Sequence, residues 1–233
     1  MGRARGADAR SGPCARPAQR GAAERSRVSL VVYSDYLCPW CYLAEHRLEK
    51  LRRELGGALS LAWRSFLLRP RPDEARDLER FVRYTQSWLR PAAEPDAPHF
   101  RVWESSDGPP SHSLPPHLVA KAAAELGPEA FAAVHTRLLR AYFEESRDIS
   151  REPTLREIWS EAELPAAEFE RCRAPELVQR VADEHREAAE LGVTGVPAVR
   201  VAGTDAFVVG AQPLAVYRRW VERLQSGVLE SRA

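Results

Sequence analysis

Two cysteines lie three positions apart in the segment Cys38-Pro39-Trp40-Cys41, where an apolar segment gives way to a helical pattern. The apolar segment, Val28–Tyr33, is short and rich in β-branched residues and predicts a buried strand. A cysteine at a helix N-terminus faces unpaired backbone N–H groups and the positive end of the helix dipole, which favour the charged sulfur. Two such sulfurs can open and close a small disulfide ring, so the spacing predicts thiol–disulfide chemistry.

The position of each cysteine relative to the helix suggests a division of roles. Cys38 is expected near the N-cap, with Pro39 at the first helical position, where its missing N–H costs nothing. Cys41 would lie about one turn further in. We therefore expect Cys38 to be the exposed, attacking sulfur and Cys41 to be the sheltered, resolving sulfur.

Two structural uses of the same spacing are alternatives. A zinc site needs two further ligands, but the remaining cysteines, Cys14 and Cys172, are isolated in the sequence, so no metal is expected. A purely structural disulfide closing so short a loop would restrict the unfolded chain little. Redox chemistry is favoured over both.

Composition limits the classes of function. The chain has 233 residues, of which 44% are hydrophobic and 29% charged, enough for one globular unit with an elaboration or two closely packed subdomains. Its net charge is +1, and no basic patch indicates a nucleic-acid partner. No apolar run approaches the roughly 18 residues of a membrane span. With four cysteines and no secretory signal, a cytoplasmic setting is expected.

The order of predicted elements indicates an α/β fold. Strand Val28–Tyr33, the helix after the cysteines and a strand at residues 58–66 form a parallel βαβ unit. A mainly helical stretch follows, interrupted by a Pro-rich segment at residues 91–116 that should be irregular. Strands then return at residues 196–202 and 206–209, followed by a final helix.

The predicted organisation has four parts. Residues 1–27 carry seven arginines and few large apolar side chains, so they are expected to form a disordered basic tail. Residues 28–66 and 192–226 form one βαβ…ββα unit, residues 67–191 are a helical insertion, and residues 227–233 are a flexible C-terminus.

Four segments together carry a resemblance to a known family. They are residues 33–42 (YSDYLCPWCY), 141–149 (AYFEESRDI), 192–197 (GVTGVP) and 210–213 (GAQP). They resemble the DsbA-like thioredoxin superfamily, and within it the FrnE-like cytoplasmic group. The resemblance covers about residues 28–226 and implies a thioredoxin-like fold with a large helical insertion.

The resemblance also implies roles for individual residues. Cys38 matches the nucleophilic cysteine and Cys41 the resolving one. Pro197 matches a cis-proline facing the pair, and the backbone of Val196 would pair with an incoming peptide in β fashion. One departure is the dipeptide Pro39-Trp40, which lacks the histidine of the strongly oxidising periplasmic members.

Supporting residues have two readings each. Asp35 either accepts a proton or holds a water near Cys41, or binds local N–H groups at the strand end, and the second reading is slightly favoured. Trp40 either offers an apolar face to substrate beside the sulfur or packs within the loop. Pro39 is the third residue expected to support the cysteine pair. The histidines are expected on solvated helix faces or in the loop.

These observations predict a thiol–disulfide oxidoreductase acting on protein or small thiol and disulfide substrates, as a monomer or homodimer. No cofactor is required, and glutathione is a candidate co-substrate. One alternative is a glutathione-dependent isomerase or transferase, like the kappa-class transferases and hydroxychromene-carboxylate isomerases, which typically use serine where Cys38 stands. Another is a non-catalytic binding module that keeps a thioredoxin shell.

Overall fold

The computed structural model describes residues 2, 27–73 and 75–226. Apart from residues 2 and 27, the predicted disordered tail (residues 1–27) lies outside the described residues. The predicted flexible C-terminus (residues 227–233) also lies outside them. Both remain predictions.

A four-stranded sheet lies at the centre of the protein. Its strands are β1 (Val28–Ser34), β2 (Leu59–Ser65), β3 (Ala198–Val201) and β4 (Phe207–Val209), in the order β2-β1-β3-β4. Strands β1 and β2 are parallel, as a strand–helix–strand unit predicts, whereas β3 is antiparallel to both β1 and β4. The predicted βαβ…ββα arrangement is therefore confirmed.

Successive side chains of a strand point to opposite faces of the sheet, and β1 has buried apolar side chains on both. Helices therefore cover both faces. Helices α1 (Pro39–Leu55) and α8 (Leu214–Gln225) cover one face. Helix α7 (Pro175–Glu190) covers the other, where its Ala188 packs with Val31 and Tyr33. The core under α1 and α8 contains Leu30 and Val32 from β1, Leu48 and Leu51 from α1, and Tyr217 and Val221 from α8.

The segment between β2 and β3 is helical, as predicted, and contains a large aromatic core. Its rings include the buried Trp88, Trp103 and Phe143. Tyr36 and Tyr42, on either side of the cysteines, belong to the same core, so the insertion packs directly against the start of α1. Its helices before α7 are α2 (Leu78–Thr85), α3 (Leu89–Ala92), α4 (Leu114–Leu126), α5 (Pro128–Phe143) and α6 (Glu152–Glu161).

Some predicted boundaries differ from the structure. Strand β3 begins at Ala198, two residues later than predicted, since a proline without an N–H cannot continue a ladder of hydrogen bonds. Helix α4 begins at Leu114, within the Pro-rich segment predicted to be irregular (residues 91–116), because prolines are tolerated in the first helical turn. The segment Ala166–Arg173 is a 3-10 helix. Within the described residues, no helix is long and apolar enough to cross a membrane.

Candidate active site

Cys38 is the N-cap residue of α1, as the sequence predicts. Its backbone is extended (φ −98°, ψ 114°), and its sulfur accepts a hydrogen bond from the Cys41 N–H at 3.3 Å. The sulfur thus takes the place that a serine or aspartate oxygen fills in most N-caps. Pro39 occupies the first turn. Cys38 and Cys41 are both free thiols in this structure.

The Cys38 sulfur is more enclosed than the sequence predicted. Cys38 is 5% exposed and Cys41 is fully buried, so the predicted order of accessibility is right but the expectation of an open sulfur is wrong. The reason is a contact from a distant part of the chain. The Cys38 thiol donates a hydrogen bond to the carbonyl oxygen of Val196 at 3.4 Å, while the first turn of α1 covers its other side.

The loop that carries Val196 and Pro197 is fixed against the sheet. The peptide bond between them is cis. The Gly210 N–H donates to the Pro197 carbonyl oxygen at 2.8 Å, and the Tyr217 hydroxyl donates to the Gly210 carbonyl oxygen at 3.1 Å. Gly210 has φ +81°, a conformation that side-chain-bearing residues rarely adopt. The structure therefore brings Cys38 next to Val196, which lies 158 positions later in the sequence and precedes Pro197.

Burial sets the chemistry of Cys41. Removal from water raises the pKa of the Cys41 thiol well above its usual range, and the hydrogen bond and charge of its partner sulfur raise it further. The Asp35 backbone and the Ser34 hydroxyl act in the opposite direction, but burial outweighs them. Cys41 is therefore a neutral thiol at ordinary pH and needs a proton acceptor before it can attack.

Asp35 is fully buried, and both of its carboxylate oxygens are engaged. One accepts the Leu37 N–H at 2.6 Å and the other the Leu68 N–H at 2.7 Å. This is the local N–H role that the sequence favoured, extended by a contact with the segment after β2. Burial raises the pKa of Asp35 to about 6, against the lowering effect of these two N–H groups.

The raised pKa of Asp35 predicts a specific pH dependence of stability. A carboxyl with a higher pKa in the folded state contributes stability below its unfolded pKa of 3.8, and this is lost as pH rises to about 6. The two-unit shift corresponds to about 3 kcal/mol. Asp35→Asn removes this titration but leaves one N–H without an acceptor, so it should cost about 1–3 kcal/mol at low pH.

The measurement is urea unfolding of both proteins across the pH range. The free-energy difference between wild type and Asp35→Asn should shrink from about pH 4 to about pH 7. Asp73→Asn, at a residue whose carboxylate binds one exposed N–H, is the matched control. A difference that stays constant with pH would contradict the assignment.

Exposed apolar side chains lie close to the cysteine pair. Trp40 is 37% exposed, which agrees with the reading that it offers a face to substrate. Leu68 and Tyr84 are also exposed. Leu68 and Tyr84 line a cavity of about 670 Å³ that adjoins Leu37.

The sequence missed two groups of buried polar residues. Arg47 of α1 is buried and contacts both the insertion and the loop before α8. His117 and His135 are buried as well, so the expectation that the histidines are solvated is wrong for these two. Hydrophobic spacing gave no signal for any of them. Among the described residues, no group of three or more His, Cys, Asp or Glu side chains could hold a metal ion.

Comparison with known proteins assigns the family. The family model of the DSBA-like thioredoxin domain matches residues 29–221. The chain belongs to this family. Its fold and its CxxC-bearing helix are thus those of DsbA-like thiol–disulfide oxidoreductases, and the FrnE-like subtype stays a prediction.

Individual relatives agree with this assignment. The uncharacterised protein YwbO of Bacillus subtilis is 25% identical over 209 residues, covering 82% of this chain and 94% of that protein. The probable DsbA oxidoreductase of Streptomyces coelicolor has a TM-score of 0.68 at 25% identity, covering 86% of this chain and 91% of that one. The cytosolic disulfide reductase DsbM of Pseudomonas aeruginosa has a TM-score of 0.67 at 23% identity, covering 86% and 98%. A further structure contains DsbM with GSH.

Proposed function

We propose that the protein is a thiol–disulfide oxidoreductase in which Cys38 exchanges with substrate and Cys41 resolves the mixed disulfide. One observation carries the proposal: the Cys38 sulfur caps α1 and touches the Val196 carbonyl, while the second thiol lies directly behind it. Family membership supports the same reaction class.

The exchange runs in two nucleophilic displacement steps. In the reductive direction the Cys38 thiolate attacks a substrate disulfide, forms a bond to one substrate sulfur and expels the other as a thiolate, which takes up a proton. The Cys41 thiolate then attacks the Cys38 sulfur and expels the first substrate sulfur. The substrate is reduced by two electrons and the cysteine pair is oxidised to a disulfide. The oxidative direction is the reverse, and the reduction potential decides between them.

Features around the pair support a polypeptide substrate. The exposed Trp40, Leu68 and Tyr84 provide apolar surface beside the sulfur. The backbone of Val196, with Pro197 next to it, can pair with an extended substrate strand, the mode the resemblance implies. In this proposal Val196 and Pro197 bind substrate, and Pro39, Trp40 and Asp35 support the cysteines.

Glutathione is a second candidate substrate. Arg69, Arg76 and Arg80 line the cavity beside Leu37, together with Asp73 and Asp77, and guanidinium groups suit the carboxylates of a small acidic thiol. The likeness to DsbM, which has been solved with GSH, points the same way. The proposal requires no resident cofactor, and it includes a cytosolic setting, which the fold it shares with cytosolic DsbM supports. The oligomeric state, monomer or homodimer, is left open by it.

The alternatives have less support. Kappa-class transferases and hydroxychromene-carboxylate isomerases need no second cysteine, whereas Cys41 is retained here in contact with Cys38. A non-catalytic binding module would not need either sulfur.

The test is equilibration of the protein in glutathione redox buffers, followed by mass spectrometry and insulin turnover. A single disulfide should form between Cys38 and Cys41, with loss of two hydrogen atoms per chain and reduction of one glutathione disulfide. Cys172→Ser is the matched control and should behave as wild type, because Cys172 lies in the 3-10 helix of the insertion. A protein that forms no such disulfide, or turns over no substrate, would disprove the proposal.

A further inference from the structure

Two buried histidines and a serine leave polar atoms unpaired around a small cavity that Ser34 also lines. Nε2 of His117, Nε2 of His135 and Oγ of Ser65 have no hydrogen-bond partner in the part of the chain that the structure describes, although the Ser65 side chain lies near enough to the Glu184 carboxylate to help lower its pKa. His117 lies on α4, His135 on α5 and Ser65 at the end of β2. Buried polar atoms are nearly always hydrogen-bonded, to protein or to ordered water, so three in one place indicate a bound group.

The three residues line one small cavity. Its volume is about 20 Å³, enough for one water molecule, which needs about 10–15 Å³ and two to four polar partners. The ring of Tyr36 lies edge-on to both imidazoles, at 4.9 Å from His117 and 5.3 Å from His135, and its hydroxyl is 2.7 Å from Nδ1 of His135. The imidazoles are therefore held in place, with their free nitrogens available to the cavity.

The same cavity reaches Cys41 through Ser34. The Ser34 side chain lines it, and a hydrogen bond from the Ser34 side chain lowers the pKa of the Cys41 thiol. Cys41 itself is fully buried. A proton leaving its sulfur has to pass along polar groups, and the chain from Ser34 to the cavity provides them.

Burial keeps both imidazoles neutral, and the charge of Lys121 adds to its effect. Burial, with the charge of Lys121, lowers the pKa of His117 and of His135 to about 3. Lys121 is paired with Glu184 at 2.6 Å, and Arg64 and Arg180 reach the same carboxylate from the surface. On His117, the charge of Glu184 acts in the opposite direction, whereas His135 and His185 also lower the pKa. A neutral imidazole has one donor and one acceptor nitrogen, so it can orient a water without trapping the proton.

We propose that His117, His135 and Ser65 hold a buried water that, with the Ser34 hydroxyl, carries the proton between Cys41 and the solvent side of the insertion. The inference rests on the proposed function. When Cys41 attacks the mixed disulfide, its proton passes to this path, its sulfur bonds to Cys38, and the substrate sulfur leaves as a thiolate that is protonated in turn. The histidines and Ser65 are positioning residues, and Asp35, whose two oxygens bind backbone N–H groups, stabilises the loop.

Stopped-flow reaction of the reduced full-length protein with the aromatic disulfide DTNB separates the two steps. Attack by Cys38 releases one thiolate, and attack by Cys41 releases the second. In His117→Phe and in Ser65→Ala the second phase should slow about tenfold or more, while the first phase stays as in wild type. The slowed phase should recover between about pH 7 and pH 9, as hydroxide takes over deprotonation. His46→Phe, a half-buried histidine of α1 outside the cavity, is the matched control and should leave both phases unchanged.

Each outcome decides between readings. Unchanged second phases in folded His117→Phe and Ser65→Ala would overturn the proposal, as would equal slowing of both phases. A second phase lost in Asp35→Asn alone would also overturn it, by assigning the proton to the carboxylate. A wild type without two phases would refute the proposed function itself, and not the water path alone. A crystal structure should show a water within hydrogen-bonding distance of the three unpaired atoms.

Discussion

Replacing Cys38 with serine should abolish disulfide exchange, whereas replacing Cys41 with serine should trap the substrate on the protein. A serine hydroxyl cannot form a disulfide, so Cys38→Ser should lose on the order of 10³-fold or more of the turnover, the scale seen when other enzymes lose their nucleophile. In Cys41→Ser the first attack still occurs. The resolving thiol held behind the Cys38 sulfur is gone, and external thiols cannot match its effective concentration.

Insulin turnover and intact-mass spectrometry measure the two effects. Cys41→Ser should carry a covalent adduct on Cys38 that a strong dithiol removes, and Cys38→Ser should carry none. Cys172→Ser is again the control with an unrelated free thiol. Adducts on Cys41 in the Cys38→Ser variant, with turnover retained, would reverse the roles that the geometry assigns.

Replacing Arg47 with alanine should lower the free energy of unfolding by about 3 kcal/mol. Its guanidinium binds Asp96 and Glu94 of the insertion and the carbonyl oxygens of Ala211 and Gln212, at distances of 2.5–3.1 Å. The side chain is 2% exposed, whereas Glu94 and Asp96 are 37% and 26% exposed. Without Arg47, the carboxylates of Glu94 and Asp96 can be hydrated again. The expected loss of unfolding free energy is therefore at the low end of the range for a broken buried ion pair.

Urea unfolding of Arg47→Ala beside Arg52→Ala tests this expectation. Arg52 lies on the same helix and forms an exposed pair with Glu49, so its loss should cost less than about 0.5 kcal/mol. Arg47→Lys keeps the positive charge but loses the planar set of guanidinium donors. Its free energy of unfolding should therefore lie between those of Arg47→Ala and Arg52→Ala. Equal stability of the two alanine variants would show that the insertion is held to α1 by its apolar core alone.

Local rules predicted the elements of this fold well, because their signals are local. The apolar run of β1 and the change from strand to helix at Cys38 each depend on a few neighbouring residues. Cys38 at the N-cap follows from the strand-to-helix change and the proline after it. The sequence therefore predicted the position of the cysteine pair and the order of its flanking elements.

The features that local patterns could not predict are contacts between residues far apart in the chain. The enclosure of Cys38 comes from Val196, 158 positions away, and the partners of Arg47 lie 47 to 165 positions away. His135 meets Tyr36 across 99 positions. Helical periodicity treats a histidine or arginine as a residue for the solvated face, and only contacts with distant parts of the chain bury Arg47 and His135.

The order of strands in the sheet has a consequence for synthesis of the chain. β1 is flanked by β2 and β3, yet β3 begins at Ala198, long after β2 ends at Ser65. At about 5–20 residues per second, a ribosome takes roughly 7–27 s to cover that stretch. Throughout this time the nascent chain carries β1 with one edge unpaired, a template for wrong partners. It also carries Cys38 before Val196 exists to cover it, so both reactive sulfurs meet the cell's thiols before the shielding loop is made.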